Sequence, residues 1–345
     1  MKKIILILSI FLLSGCYDYN ELTDLGIVSA MLIDYKDDKY SVNLEILDTN
    51  KDVVKPSYFL EGTGSTFESA LIDIYNKSAT HVYLHHMDTV ILSDSIAGDK
   101  LPLLYDYFLR DPDIRKDSFF VISHNIDDFL KYESLDNLSI GESIKNIIKY
   151  NQKENADFKT SLFSDILHSY LNKSTYFIGD IEIKNNLITL GDTYIVEDNK
   201  LGINLDKSAI LCANILDNSS TSFIITTNDS YEIYKYKTQK KVDNNKIVIS
   251  LSADVRLFGM TEERTKSQSD LSSQENIVSS YLKKLVLESI KYSIDNNTDI
   301  YNFNYYYRIY KPLDEKKTFK DLDYDIKVDI SLNERGLILD TLRRS

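Results

Sequence analysis

The sequence contains no tryptophan, and only two of its 345 residues are cysteine. The first absence reflects AT-rich codon usage rather than chemistry, since tyrosine (25 residues), asparagine, isoleucine and lysine are abundant. The second excludes a disulfide framework. Cys16 closes an N-terminal apolar stretch, which leaves Cys212 alone in the apolar run 209–216, the setting of a small buried side chain. Basic charge is also short: 40 lysines and arginines face 53 acidic residues, a formal charge of −13. That balance argues against nucleic acid as a partner and against electrostatic adsorption to anionic lipid. Beyond the N-terminus, no run approaches the roughly 20 apolar residues that a membrane span needs. Also missing are a G-x-S-x-G elbow, an H-E-x-x-H zinc pair and a G-x-x-x-x-G-K-[ST] phosphate loop. No nucleophile–base pattern points to an enzyme, and there is no internal repeat or low-complexity tract.

The N-terminus itself is informative. Lys2 and Lys3 precede residues 4–13, apolar except for Ser9, and the run closes on Leu13-Ser14-Gly15-Cys16. A positive start, a short apolar core and small residues before a cut describe a secretory signal. Leu-Ser-Gly-Cys has the form of a bacterial lipobox, in which the cysteine thiol takes a diacylglyceryl group and the chain is cut just before it. Residues 1–15 are therefore expected to be removed, leaving 330 residues at a charge of −15. Two or three acyl chains on Cys16 would suffice for stable anchoring. The protein is expected outside a membrane, tethered to lipid through Cys16.

Hydrophobic spacing divides the remainder into two regions. Residues 25–33 read as a buried strand, and 40–46 alternate Tyr40, Val42, Leu44 and Ile46 with polar residues. The two make a hairpin through Asp37-Asp38. A loop is expected over 51–64, then a helix capped by Ser65 with Glu68, a strand over 82–92, a helix over 102–109 and a strand over 118–123. Residues 126–171 look mostly helical. Strands follow at 177–183, 187–196 and 201–205, with turns at Asn185-Asn186 and Asp198-Asn199. The clearest strand is 247–257. A helix over 274–296 is expected to bury Ile277, Tyr281, Leu285 and Ile290, and a strand with Tyr324, Ile326, Val328, Ile330 and Leu332 follows. A short edge strand at 337–339 is added after Gly336. This is a multi-domain α/β and α+β fold: mixed sheets with packed helices, a 16–190 α/β domain containing the helical 126–171 segment, and a strand-rich 191–345 α+β domain with one long helix.

Few constellations suggest chemistry. His81, His85 and His86 cluster, but on a strand His86 would face away from the other two, and satisfied structural histidines are preferred to a metal site. Gly62-Thr63-Gly64-Ser65-Thr66 faintly resembles a phosphate loop without its lysine. Arg110-Asp111-Pro112-Asp113-Ile114-Arg115 is a dense charged loop at a helix end. Its arginines are expected to pair locally with Asp111 and Asp113, and Arg110, Asp111, Asp113 and Arg115 are the candidate partner-contact residues. The tyrosines at 301, 305, 306, 307 and 310 make either a contact surface or core. No cofactor is implied.

Three blocks carry a resemblance: Leu13-Ser14-Gly15-Cys16-Tyr17-Asp18 with the following Ile27-Val28 to Asp34; Gly64-Ser65-Thr66-Phe67-Glu68-Ser69-Ala70 with Tyr83 to His86; and Phe108-Leu109-Arg110-Asp111-Pro112-Asp113-Ile114-Arg115. In order and spacing they are similar to the Ger(x)C spore germination lipoproteins, with looser similarity at Gly191-Asp192-Thr193-Tyr194 and over 328–336. Tyr17 stands where that family usually has tryptophan. The resemblance implies the C subunit of a nutrient germinant receptor in the inner spore membrane. There it would act with two integral membrane subunits in assembly or signalling. The competing reading is a lipid-anchored solute-binding protein, which would show two similar lobes around a pocket; here the second half follows a different plan.

Overall fold

The computed structural model describes residues 25–48, 57–97, 100–134, 137–227, 229–259, 271–311 and 317–334. Cys16, the segment before it and the 337–339 strand lie outside the described residues.

Strand β1 (Leu25–Lys36) is the spine of the first sheet. Val28, Met31 and Ile33 enter one core and Ala30 and Leu32 another, so the strand is buried on both faces. Asp37 and Asp38, both at positive φ (50° and 58°), close a two-residue turn into the antiparallel strand β2 (Lys39–Leu47). Residues 57–64, expected as loop, form strand β3 (Ser57–Gly64) paired with β2. Its glycines serve close packing: a Cβ at Gly62 would lie 2.1 Å from the Ala70 carbonyl oxygen of helix α1 (Phe67–Lys77). This answers the faint phosphate-loop likeness, because the same backbone is engaged by α1. The α1 cap sits one residue beyond the expected Ser65–Glu68 pair. Thr66 Oγ1 accepts from Ser69 N (3.1 Å), and Ser69 Oγ accepts from Thr66 N (3.0 Å).

The expected strand over 82–92 is two. β4 (His81–Tyr83) runs beside Leu25, Gly26 and Ile27, a 3₁₀ turn takes up Leu84–His86, and β5 (Thr89–Ser93) runs beside residues 30–33. Burial of Leu84 and Met87 in the core favours the turn over a continuous strand. Helix α2 (Leu101–Arg110) and strand β6 (Phe119–Ser123) follow, then helices α3 (Ile126–Leu130), α4 (Ile140–Glu154) and α5 (Phe163–Asn172) in the expected helical segment. β7 (Tyr176–Lys184), β8 (Leu187–Glu197) and β9 (Lys200–Asn204) turn at Asn185-Asn186 and Asp198-Asn199, all four at positive φ. The order across the sheet is β3-β2-β1-β5-β6-β7-β8-β9, with β4 also on β1. Helices α1, α2 and α5 cover one face, α3 and α4 the other. The sheet runs on to Asn204, past the 190/191 division.

Helix α6 (Lys207–Asp217) leads to a four-stranded sheet of β10 (Ser222–Thr226), β11 (Ser230–Asp243), β12 (Lys246–Gly259) and β13 (Asp323–Glu334). The long helix α7 (Leu271–Asp295) and helix α8 (Phe303–Tyr310) connect β12 to its parallel neighbour β13. The buried stripe of α7 is Val278, Leu282, Leu285, Val286 and Ile290, whereas Ile277 is 37% exposed and Tyr281 only half-buried. Ser289 and Ser293 occupy buried positions of that stripe, and their polarity hid its true phase.

A polar side chain decides how α4 docks. Asn43 and Glu45 lie on the face of β2 expected to meet solvent, yet both are buried. Glu45 Oε1 accepts from Ile140 N (2.7 Å) and Ser57 Oγ (2.6 Å), and Oε2 accepts from Gly141 N (3.1 Å). Orphan N–H groups at a helix start are thereby satisfied by a charge that the helix dipole favours. Burial raises the Glu45 pKa, against these bonds. Gly141 must stay a glycine for contact: a Cβ there would fall 2.2 Å from the Ser29 carbonyl oxygen. Glu45→Ala is expected to strand two buried donors and cost about 2–4 kcal/mol, against about 0.5 kcal/mol for Glu68→Ala on exposed α1. Urea unfolding of the two variants measures this; equal midpoints would deny the carboxylate its structural part.

Candidate interaction surface

The 110–115 loop begins where α2 ends. Asp111 stops the helix, and Ile114, 3% exposed, anchors the loop in the core. Lys116 Nζ donates to the Phe108 carbonyl (2.6 Å), satisfying a helix C-terminal acceptor. Both arginines pair locally, but not with Asp111 and Asp113 as expected. Arg110 reaches back one turn to Asp106 (2.7 Å), and Arg115 forks onto Asp117. The helical i,i+4 spacing favours the first pair over a partner in the turn itself. Asp111 is used instead as a loop brace, accepting from Asp113 N (2.9 Å) and the Tyr107 hydroxyl (3.0 Å). Burial, with the neighbouring Tyr75 and Asp111, raises the Tyr107 pKa and keeps that hydroxyl a donor. Asp113 lies 3.7 Å from His85, whose ring stacks on Tyr83 at 4.7 Å. Asp113 thus lies beside the Leu84–His86 turn. Arg110 and Asp113 are exposed, whereas Asp111 and Arg115 are half-buried.

Exposed apolar side chains are frequent on the helices of this region. Among the described residues, six of the fourteen exposed large hydrophobic side chains lie on the α1, α2 and α5 layer (Ile72, Tyr75, Leu103, Leu109, Tyr170 and Leu171), and Ile309 and Tyr310 are exposed on α8. Exposed apolar groups gathered on one layer mark an interaction surface better than scattered ones do. The tyrosine run divides accordingly. Tyr301 and Tyr307 are core, and Tyr310 is exposed.

His86 tilts against Tyr83, and among the described residues no three His, Cys, Asp or Glu side chains are arranged to hold a metal ion. Cys212 is fully buried in α6, and burial pushes its thiol up to about 12, out of reach of thiolate chemistry. Among the described residues no helix is long and apolar enough to cross a membrane.

Comparison with known proteins places this architecture. Residues 18–183 match the family profile described as the spore germination protein N-terminal domain, and residues 192–336 match its GerAC-like C-terminal counterpart. The chain belongs to this spore germination family. Over 138 residues it is 30% identical to spore germination protein KC of Bacillus subtilis (strain 168), covering 36% of this chain and 33% of that protein. A second relative from that organism, YfkR, provisionally named a spore germination protein, is 25% identical over 133 residues, 35% of either chain. The matched stretch therefore spans about a third of those two relatives. The crystal structure of the GerBC protein superposes with a TM-score of 0.52 at 18% identity, covering 88% of this chain and 97% of that one, a likeness of fold.

In this GerAC-type chain the two matched segments meet at a cleft of about 670 Å³ between α5, the start of β7, the β8–β9 turn and α8. Thr175 N donates to Asn302 Oδ1 (2.8 Å) and Asn302 Nδ2 returns to the Thr175 carbonyl (2.9 Å), so the start of α8 is tied to the start of β7. Asp299 lines the cleft and caps α8, accepting from Phe303 N (2.9 Å) and Asn304 N (2.7 Å). No sequence signal singled out Asp299 or Glu45; a carboxylate just before a helix start, or at a strand position facing one, is legible only once the partner helix is placed. Burial raises the Asp299 pKa from 3.8 to about 6. The folded state then holds the proton more tightly than the unfolded one, so this residue's contribution to stability is complete below about pH 4 and is lost as pH rises through 6. Asp299→Asn abolishes that titration. Its destabilisation relative to wild type is expected to shrink by about 1–3 kcal/mol between pH 4 and pH 7, which urea unfolding at both pH values measures. A destabilisation that grows with pH would reverse the assignment.

Proposed function

We propose that the chain is the lipid-anchored subunit of a spore nutrient germinant receptor. It is held on the extracytoplasmic face of the inner spore membrane through Cys16 and acts in assembly or signalling rather than in catalysis. The observation that carries this reading is the family match over both halves of the chain, joined to an N-terminus of lipobox form. The partners are two integral membrane subunits. The layer of α1, α2 and α5, with the 110–115 loop at its end, is the surface offered to them: apolar side chains supply contact area, and Arg110 and Arg115 supply charge direction. A mature chain at −15 has no electrostatic attraction of its own for anionic lipid, so the acyl chains must hold it there.

Two variants test the reading. Cys16→Ala should move the protein out of the spore membrane fraction with its fold unchanged; full retention would mean that partner subunits alone hold it. Arg110→Glu with Arg115→Glu removes two exposed ion pairs, so stability should change by no more than about 1–2 kcal/mol and membrane levels should stay normal. Nutrient-triggered germination is expected to slow markedly. Germination at the wild-type rate in spores with normal protein levels would return the loop to a structural role.

A further inference from the structure

Three neighbouring parallel strands bring together side chains that the receptor reading does not use. Asp94 follows β5, His124 follows β6, and Asp180 forms the last pair of the β6–β7 ladder, opposite Ile122. From β5 the chain turns to α2, whose Leu104 and Phe108 share a core with Val90 and Leu92. From β6 it turns to α3, whose Ile126 and Phe129 pack on the opposite face with Ile91 and Val121. Adjacent connections thus diverge to opposite faces and open a crevice at the carboxyl ends of the strands. Open α/β sheets hold their ligands at such points.

The crevice is built around a carboxylate. His124 Nδ1 lies 2.8 Å from Asp94, and its Nε2 lies 3.8 Å from Asp180 Oδ2. The Asp180 side chain is only 9% exposed, and its Oδ1 is buried without a hydrogen-bond partner. Buried polar atoms are nearly always satisfied, so an orphan carboxylate oxygen asks for a donor. Local backbone is shaped to keep it there. The β7–β8 register shifts between Gly179 and Ile181, and at Gly191 on β8 a Cβ would stand 2.6 Å from Asp180 Oδ2. The surrounding charge is negative. Glu182 is engaged by Lys184, Asp192 accepts from Asn204 Nδ2 (2.7 Å), and the His124 ring lies between Asp94 and Asp180. Burial raises Asp180 to about 6, while the Asp94 bond raises His124.

We propose that this crevice binds a protonated primary amine, its ammonium group donating to Asp180 and to His124 Nε2. An ammonium has three donors on one compact charge. Asp180 Oδ2 and the Nε2 of neutral His124, 3.8 Å apart, accept two of them, while Asp94 holds the Nδ1 proton from the other side of the ring. Binding requires the neutral ring and therefore lowers the His124 pKa. The amine comes either from a small free molecule or from a lysine side chain of a partner, and the two sources share this chemistry.

The test follows the imidazole signal of His124 by NMR in the purified full-length protein, titrated with cadaverine at constant ionic strength. A saturable fall of about 0.5–1 unit in the His124 pKa is expected, with His168 unmoved. Asp180→Asn and the exposed Asp94→Asn should each abolish or sharply weaken it, and the second variant keeps the test valid if the first unfolds. Saturation by cadaverine but not by a capped Gly-Lys-Gly peptide assigns a free amine; tighter response to the peptide assigns a partner's lysine. An equal shift with sodium chloride alone, an equal shift in both variants, or no shift with either probe overturns the site.

Discussion

One buried carboxylate fixes the geometry of the first sheet. Glu45 reaches from β2 to the N–H groups of Ile140 and Gly141, and so sets where α4 lies across the face formed by Ala30, Leu32 and Ile91. Without that helix, β1 would expose half of its apolar side chains, and the sheet would lose the double covering that parallel strands require. Around it, Ser29 meets Ser139 (2.6 Å), Thr89 Oγ1 donates to the Gly141 carbonyl (3.1 Å), and Lys145 pairs with Asp88 (2.8 Å). A charge taken out of water is retained only where its partners are this well placed.

A second polar joint links the halves. Lys159, 7% exposed, donates to Asn214 Oδ1 (3.2 Å) and Ser219 Oγ (2.9 Å) and lies 3.3 Å from Asp217. Asn214 in turn donates to the carbonyls of Ala156 and Phe158. Together with the Thr175–Asn302 pair, these bonds would have to break before the two family segments could separate. The apolar core agrees: Phe177 and Ile195 of the first sheet pack in one cluster with Ile247, Ile249 and Ile326 of the second.

Alternation and turn chemistry made most strands legible. Asp37-Asp38, Asn185-Asn186 and Asp198-Asn199 all adopt the left-handed backbone that Asp and Asn tolerate. The long helix was legible too, but its buried face was misphased because Ser289 and Ser293 stand in it. β3 was missed because Gly62 and Gly64 read as loop residues, when they are there to let α1 approach. The 82–92 run was read as one strand because periodicity cannot show that β1 changes partner from β4 to β5. At the charged loop, sequence gave the residues but not their partners: Asp106 lies one helical turn back and Asp117 beyond the motif. The Asp94–His124–Asp180 crevice could not be read at all, since its members are brought together only by parallel pairing.

The central claim is that the α1, α2 and α5 layer faces the membrane subunits of a germinant receptor. A photo-crosslinking residue at Leu103 or Leu171, both exposed on that layer, measures it directly in intact spores, with Phe258 of β12 as the distant exposed control. The account predicts crosslinks to polytopic membrane proteins from Leu103 and Leu171 and none from Phe258. Crosslinks from Phe258 alone would contradict it and move the receptor-facing surface to the four-stranded sheet.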